Sequence, residues 1–200
     1  MESPDSSSHR TLIYIPIIHT LADMGALGAS LERIKASTLG RKRLRRSSEL
    51  VDTMWREIER MVDSFPVQPG RTRVYQDGLP VCGHELQIVS ELAAAGGCNH
   101  KLVLRLHEKG AVIMGTESPE LLVEEYQLAT AAYNFPSAKD AGERRHLSAR
   151  LLEKRDCFIA DRIDATLQRG EAGILFVGML HAVQRYLPPD MKILYPIRTH

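Results

Sequence analysis

The chain has 200 residues, of which 44% are hydrophobic and 26% are charged. This length and apolar fraction suit one domain with a substantial buried core. Because 26 Lys and Arg residues nearly balance 25 Asp and Glu residues, there is no global charge to attract nucleic acid or a membrane surface. The apolar stretches are well short of the roughly 20 residues that cross a bilayer, so we expect neither a membrane nor a nucleic-acid partner.

The cysteines and the N-terminal residues indicate a cellular compartment. Cys82, Cys98 and Cys157 form no CxxC pair, which argues against a zinc knuckle or a thioredoxin motif and favours reduced thiols. The first ten residues have no apolar core of the kind found in secretory signals. We therefore predict a cytoplasmic protein with a disordered polar tail over 1–10 and a single α/β domain over 11–200.

Two apolar runs, one near each end of the chain, lead into a histidine. They cover 12–19 and 174–181, ending at His19 and His181. Runs that are apolar on both faces predict central strands of a covered sheet. The remaining pattern, in chain order, predicts helical structure over 30–64 with a break at Gly40, a strand over 71–75, helices over 84–95 and 99–109, a strand over 111–115, a helix from Ser118 to about 134, a long helix over 140–168 and a last strand over 191–197.

The helical segments between the predicted strands are long enough to connect parallel neighbours. We therefore predict an α/β fold whose single, mainly parallel sheet is flanked by helices. If the first strand and the one before His181 are neighbours, residues more than 160 positions apart meet at one edge of the sheet, where open α/β sheets bind ligands.

Polar residues follow four of the five predicted strands, namely His19, Asp77, Glu117 and His181. Two imidazoles and a carboxylate are the ligands of many catalytic zinc and manganese sites, and such a metal lowers the pKa of bound water toward about 7. The alternatives are structural. Either histidine could be hydrogen-bonded without a metal, Glu117 could only charge the N-terminus of its helix, and Asp77 could be only a turn residue.

Basic residues outside the strand ends have two interpretations each. Arg155 could pair with Asp156, or it could reach an anionic substrate or an oxyanion. Arg162 lies between Asp161 and Asp164, which favours a surface salt bridge. The basic run 41–46 has no interleaved aromatic residues, so a solvated helix face is favoured over contact with an anionic partner.

Sequence signatures of several enzyme classes are absent. The chain has no GxxxxGK[ST] loop, no GxGxxG after the first strand, no HExxH and no GxSxG. A P-loop ATPase, a dinucleotide dehydrogenase and an α/β-hydrolase are therefore disfavoured.

The second histidine lies in a GxxH motif, Gly178-Met179-Leu180-His181, and the first lies in the related segment Pro16-Ile17-Ile18-His19, with proline in place of glycine. Segment 154–160 is similar to the Arg-Asn/Asp segment that precedes the second GxxH strand in TraB and Tiki proteins. The chain thus resembles the superfamily that joins TraB proteins, Tiki-type metalloproteases, ChaN haem-binding lipoproteins and erythromycin esterases. The resemblance covers both ends and the strand order, and 30–70 has no matching motif.

The resemblance implies a metal-dependent hydrolase of a peptide, ester or lactone-like bond that acts on a small molecule or peptide. It assigns a divalent metal, zinc or manganese, to His19, Glu117 and His181. Glu117 would be a ligand or general base, with Asp77 as the competing acidic residue, and Arg155 would stabilise negative charge on the intermediate. The alternatives are a non-catalytic ligand-binding or signalling domain without a metal, and a scaffold that uses the basic run. A homodimer is compatible with the apolar helix stripes.

Overall fold

The computed structural model describes residues 9–18, 41–134 and 141–197. His19 and tail residues 1–8 lie outside the described residues. The strands are β1 (Arg10–Ile17), β2 (Thr72–Gln76), β3 (Val112–Met114), β4 (Ala172–Gly178) and β5 (Met191–Leu194). The helices are α1 (Arg41–Asp63), α2 (Glu85–Ala94), α3 (Cys98–Glu108), α4 (Pro119–Asn134) and α5 (Ala141–Thr166), and a 3-10 turn spans Val183–Arg185.

The five described strands form one sheet in the order β3-β2-β4-β1-β5. Each strand pairing is parallel, which confirms the predicted α/β fold. β1 and β4 are neighbours, with Tyr14 opposite Leu175 and Ile17 opposite Gly178. The carboxyl ends of β1, β2 and β4 therefore lie at the same edge of the sheet.

Successive side chains of the central strands point to opposite faces of the sheet, so the hydrophobic core has two parts. Ile15 and Phe176 face a core formed with α1, α2 and α3. Tyr14, Leu175 and Tyr75 face the opposite core, formed mainly with α5. The long helix α5 thus covers the sheet face on which Tyr75 lies, and Asp77 follows two residues later.

Two differences from the predicted boundaries concern β4 and β1. β4 ends at Gly178 rather than at His181, because Met179 and Leu180 turn away from the sheet and are 56% and 84% exposed. β1 begins at Arg10, a residue that the prediction placed in the tail. Arg10 is buried and donates hydrogen bonds to the carboxylates of Asp164 and Asp190, so its charge is compensated inside the fold.

Candidate functional site

Asp77 follows the last residue of β2 and is buried, with 3% of its surface exposed. Its Oδ2 accepts a hydrogen bond from the backbone N–H of Gly178 at 2.8 Å, and its own N–H donates to the carbonyl of Phe176 at 3.1 Å. The next residue, Gly78, has φ +74°, which supplies the turn that the sequence predicts. Asp77 is therefore both a turn residue and a buried carboxylate at the end of β4.

His181 lies three residues beyond β4, and its side chain is 6% exposed. Its Nδ1 is 2.6 Å from Oδ1 of Asp156, and its Nε2 is 3.5 Å from Oδ2 of Asp77. The other oxygen of Asp156 accepts a hydrogen bond from the N–H of Ala182 at 2.8 Å. Because a carboxylate can only accept, Asp156 places a proton on Nδ1. In the neutral ring the lone pair of Nε2 then faces Asp77, whereas in the protonated ring the Nε2–H points toward Asp77.

Glu117 is fully buried and is held by Arg155. Nε of Arg155 donates to one Glu117 oxygen at 2.9 Å and Nη2 donates to the other at 2.5 Å. The backbone N–H of Gly78 adds a third hydrogen bond at 3.0 Å. Both oxygens of Glu117 are thus engaged in a bidentate pair, the strongest common form of ion pair. The role of metal ligand or general base stays a prediction for Glu117.

Arg155 lies on α5, and its side chain is 6% exposed. Its Nη1 donates to Oε1 of Glu125 at 2.5 Å. Burial by itself lowers the pKa of Arg155, but hydrogen bonding to Glu117 and the charges of Glu117, Glu125 and Asp77 outweigh burial and raise that pKa above its ordinary value. The guanidinium is therefore permanently charged and lies within electrostatic reach of Asp77.

The alternative in which Arg155 pairs with Asp156 is not the one adopted, because consecutive helix residues point in different directions. Arg162 also differs from its prediction as a surface salt bridge. Its Nε donates to the carbonyl of Gly115 at 3.0 Å, two residues before Glu117. α5 therefore contacts the segment after β3 through both arginines.

We call Asp77, Glu117, Arg155, Asp156 and His181 the edge cluster. The three carboxylates and the guanidinium of this cluster are all buried. Glu117 and Glu125 both pair with Arg155, whereas Asp77 and Asp156 flank the ring of His181. Buried charge is costly unless it is compensated, and either a protonated His181 or a bound cation would compensate Asp77 and Asp156.

A divalent metal fits the pair formed by Nε2 of His181 and Oδ2 of Asp77. Two ligand atoms that each lie about 2.1 Å from a tetrahedral ion are about 3.4 Å apart, and these two atoms are 3.5 Å apart. Asp156, on the far side of the ring, has the position of the carboxylate that commonly supports a metal-bound histidine. No group of three or more His, Cys, Asp or Glu residues with metal-binding spacing occurs among the described residues.

The structure brings together four residues that the sequence singled out, which are Asp77, Glu117, Arg155 and His181. It adds Asp156 and Glu125, which the sequence analysis did not select as site residues. Asp156 could have been found from its place beside Arg155 in a segment already noted for its resemblance. No sequence signal marks Glu125, because its contact with Arg155 depends on how α4 packs on α5.

A separate surface groove of about 430 Å³ runs beside the outer edge of β3. Its lining includes His84, Gln87, His107 and Val112, and none of the predicted site residues contributes to it. Nδ1 of His107 is 3.0 Å from the carbonyl of Ala111, as expected for a structural histidine. The groove therefore lies apart from the edge cluster.

No helix in the described part of the chain is both long enough and apolar enough to cross a membrane. A scan against protein-family models gives no match, and searches of curated proteins and of solved structures give none either. The class that the fold and site define is therefore an α/β protein with a buried acidic cluster at the carboxyl edge of its sheet, and the TraB-type resemblance stays a prediction.

Proposed function

We propose that this protein is a hydrolase of a peptide, ester or lactone-like bond that uses a divalent metal at the edge cluster. The observation that supports this proposal is the approach of Nε2 of His181 to Oδ2 of Asp77 at 3.5 Å, with Asp156 behind the ring at 2.6 Å. The resemblance to the TraB, Tiki and erythromycin-esterase superfamily forms part of the same proposal, since it rests on His181 and the segment that contains Arg155.

Zinc or manganese would be held by His181 and Asp77, with His19 as a further ligand. Asp77 takes the acidic position that the sequence left open between Asp77 and Glu117. Asp156 keeps the proton on Nδ1, so that the Nε2 lone pair is available. When bound, the metal would supply a hydroxide nucleophile near neutral pH by lowering the pKa of water.

Arg155 would stabilise, through the field of its buried positive charge, the negative charge that develops on the substrate oxygen during attack. Glu117 supports this role by holding two nitrogens of the guanidinium with its own two oxygens. Both oxygens of Glu117 already accept hydrogen bonds inside the protein, so we assign Glu117 the positioning of Arg155 in preference to general-base catalysis.

The second candidate function is a ligand-binding or signalling domain of the same fold without a metal. The observation that favours it is that carboxylate oxygens of Asp77 and Asp156 lie 3.5 Å and 2.6 Å from the two ring nitrogens of His181. These carboxylates would compensate the charge of a protonated His181 without a metal. The two candidates differ in whether purified protein holds a stoichiometric metal and turns over a substrate.

We further propose a cytoplasmic location. Cys82 and Cys157 are not in disulfides in the structure, and reduced thiols are typical of proteins in reducing compartments.

The test is metal content, measured by mass spectrometry after dialysis against zinc or manganese, for the wild type and for His181→Ala, Asp77→Asn and His19→Ala. His84→Ala is the matched control, because His84 is exposed and its ring lies outside the edge cluster. We expect about one metal ion per chain in the wild type and the control, and a loss of metal in His181→Ala, Asp77→Asn and His19→Ala. Equal metal content in all five proteins would contradict the ligand assignment.

The same proteins are then assayed for hydrolysis of ester and peptide substrates. We expect turnover that follows the metal content and disappears with a chelator. Specific ligand binding without turnover in metal-loaded protein would favour the second candidate.

A further inference from the structure

The two carboxylates that bind Arg155 have different surroundings. Glu117 is fully buried and also accepts a hydrogen bond from the backbone of Gly78. Glu125 projects from α4, and its side chain is 48% exposed. Glu117 is therefore fixed by the fold, whereas Glu125 reaches a buried guanidinium from the solvent side.

The contact with Glu125 can be exchanged for another carboxylate. Each N–H group of a buried guanidinium needs an anionic or hydrogen-bonding partner. For Nη1 of Arg155 that partner is Glu125, whose side chain is half-exposed. An incoming carboxylate that replaced Glu125 would leave the charge around Arg155 unchanged. Glu125 would move into water, where its own charge is well solvated.

From this geometry we propose that Nη1 of Arg155 is a binding subsite for a carboxylate group of the substrate, and that Glu125 occupies the subsite when no substrate is bound. The substrate class of the proposed hydrolase is then an anionic compound with a carboxylate near the bond that is cleaved. The inference rests on the proposed function only in calling the ligand a substrate, since carboxylate binding needs neither metal nor turnover.

The experiment is a titration of metal-free protein with acetate, followed by the NMR signal of the Arg155 side chain, with chloride at the same ionic strength as the reference. The variants are Glu125→Ala and Glu124→Ala. Glu124 is exposed on the same helix, so its replacement removes an equal charge without touching Arg155.

We expect Glu125→Ala to bind acetate about tenfold more tightly than the wild type, because removing an internal competitor raises the fraction of competent sites. Glu124→Ala should match the wild type, and chloride should not reproduce the shift of the Arg155 signal. Equal acetate affinity in Glu125→Ala and Glu124→Ala would overturn the inference. Acetate binding that leaves the NMR signal of the Arg155 side chain unchanged would overturn it as well.

Amide NMR spectra of both variants confirm folding before the titration, and an exposed position on α4 tolerates alanine well. The two proposals fail separately. A protein that holds a metal and hydrolyses only uncharged substrates would refute the carboxylate subsite alone, and acetate binding at Arg155 in a protein without metal or turnover would refute the hydrolase alone.

Discussion

At the scale of single residues, Asp156 uses each of its carboxylate oxygens to position a different group of the edge cluster. One of its oxygens fixes Nδ1 of His181, and the other fixes the backbone N–H of Ala182. The carboxylate thus sets both the tautomer of the ring and the shape of the turn that carries it. Arg155, its neighbour on α5, is held by both oxygens of Glu117.

Asp156→Asn should weaken metal binding by about 10–100-fold, as loss of a supporting carboxylate does at other histidine sites. The amide can present an N–H to Nδ1 and move the ring proton to Nε2, which removes the lone pair that faces Asp77. Metal affinity is measured by competition with a chelating dye, with the exposed Asp161→Asn as control. The same affinity in both variants would show that Asp156 does not support the ring in this way.

Arg155→Met should destabilise the protein by about 3–5 kcal/mol, because it leaves the carboxylate of Glu117 buried without its partner. Adding Glu117→Gln should restore part of that loss, since the uncompensated charge disappears. The free energy of unfolding is measured by urea denaturation for both single variants and the double variant.

Arg60→Met is the control for the Arg155 variants. Its pair with Glu57 is exposed on α1, and exposed pairs contribute about 0–1 kcal/mol. If Arg155→Met and Arg60→Met had the same effect, Glu117 and Arg155 would not form a buried pair in solution.

At the scale of secondary-structure elements, the segment after β3, residues 115–117, is tightly packed, and this packing positions Glu117. A Cβ added to Gly115 would lie 2.8 Å from Cα of Val81 and 2.9 Å from the carbonyl oxygen of Pro80. Both contacts are with backbone atoms, which cannot rotate away. The same segment receives a hydrogen bond from Arg162 and carries Glu117 two residues later.

Gly115→Ala should therefore destabilise the protein by about 1–3 kcal/mol, as overpacking in a closed interior does. Gly142→Ala on α5 is the control, because nothing lies within 4 Å of its added Cβ and alanine favours a helix by about 0.5–1 kcal/mol over glycine. Thermal unfolding of the two variants should move in opposite directions. A stable Gly115→Ala protein would mean that the segment after β3 is looser than described.

Most elements could be predicted from hydrophobic periodicity, which gave the five strands of the described sheet and the long helix α5. The end of β4 could not, because Met179 and Leu180 are as apolar as a strand but exposed. Hydrophobicity alone does not distinguish a buried strand residue from an exposed residue beside a site. Arg10 was placed in the tail for the opposite reason, since a charged residue is buried only where partners compensate it.

At the scale of the whole molecule, the edge cluster depends on contacts between distant parts of the chain. Asp77 binds the backbone of Gly178 over 101 positions, and Asp156 binds His181 over 25. The sheet order explains why the strand-end residues could be selected from sequence, because parallel strands share one carboxyl edge. The contacts of Asp156 and Glu125 depend on the orientation and packing of α4 and α5. No local sequence pattern predicts that orientation.

Acid should destabilise the whole fold through its long-range ion pairs. The hydrogen bond from Arg73 lowers the pKa of Glu171 below its ordinary value of 4.5. A carboxylate whose pKa is lowered in the folded protein stabilises it fully above the ordinary value, and the contribution is lost as pH falls through the folded pKa. The free energy of unfolding should therefore fall as the pH is lowered from 4.5.

Urea denaturation between pH 3 and 6 (roughly the range over which such carboxylates titrate) measures this dependence. Glu171→Gln should be less stable than the wild type at pH 6 and should lose less stability on acidification, since it has one fewer group with a lowered pKa. If the free energy of unfolding fell equally with pH in the two proteins, Glu171 would be excluded as a source of the acid sensitivity.

The most direct test of the metal proposal is a crystal structure of zinc-soaked protein with anomalous data collected at the zinc edge. We predict an anomalous peak about 2.0–2.2 Å from both Nε2 of His181 and an oxygen of Asp77, distances typical of bound zinc. No peak between these two side chains, with His181 in direct contact with both Asp77 and Asp156, would contradict the proposal.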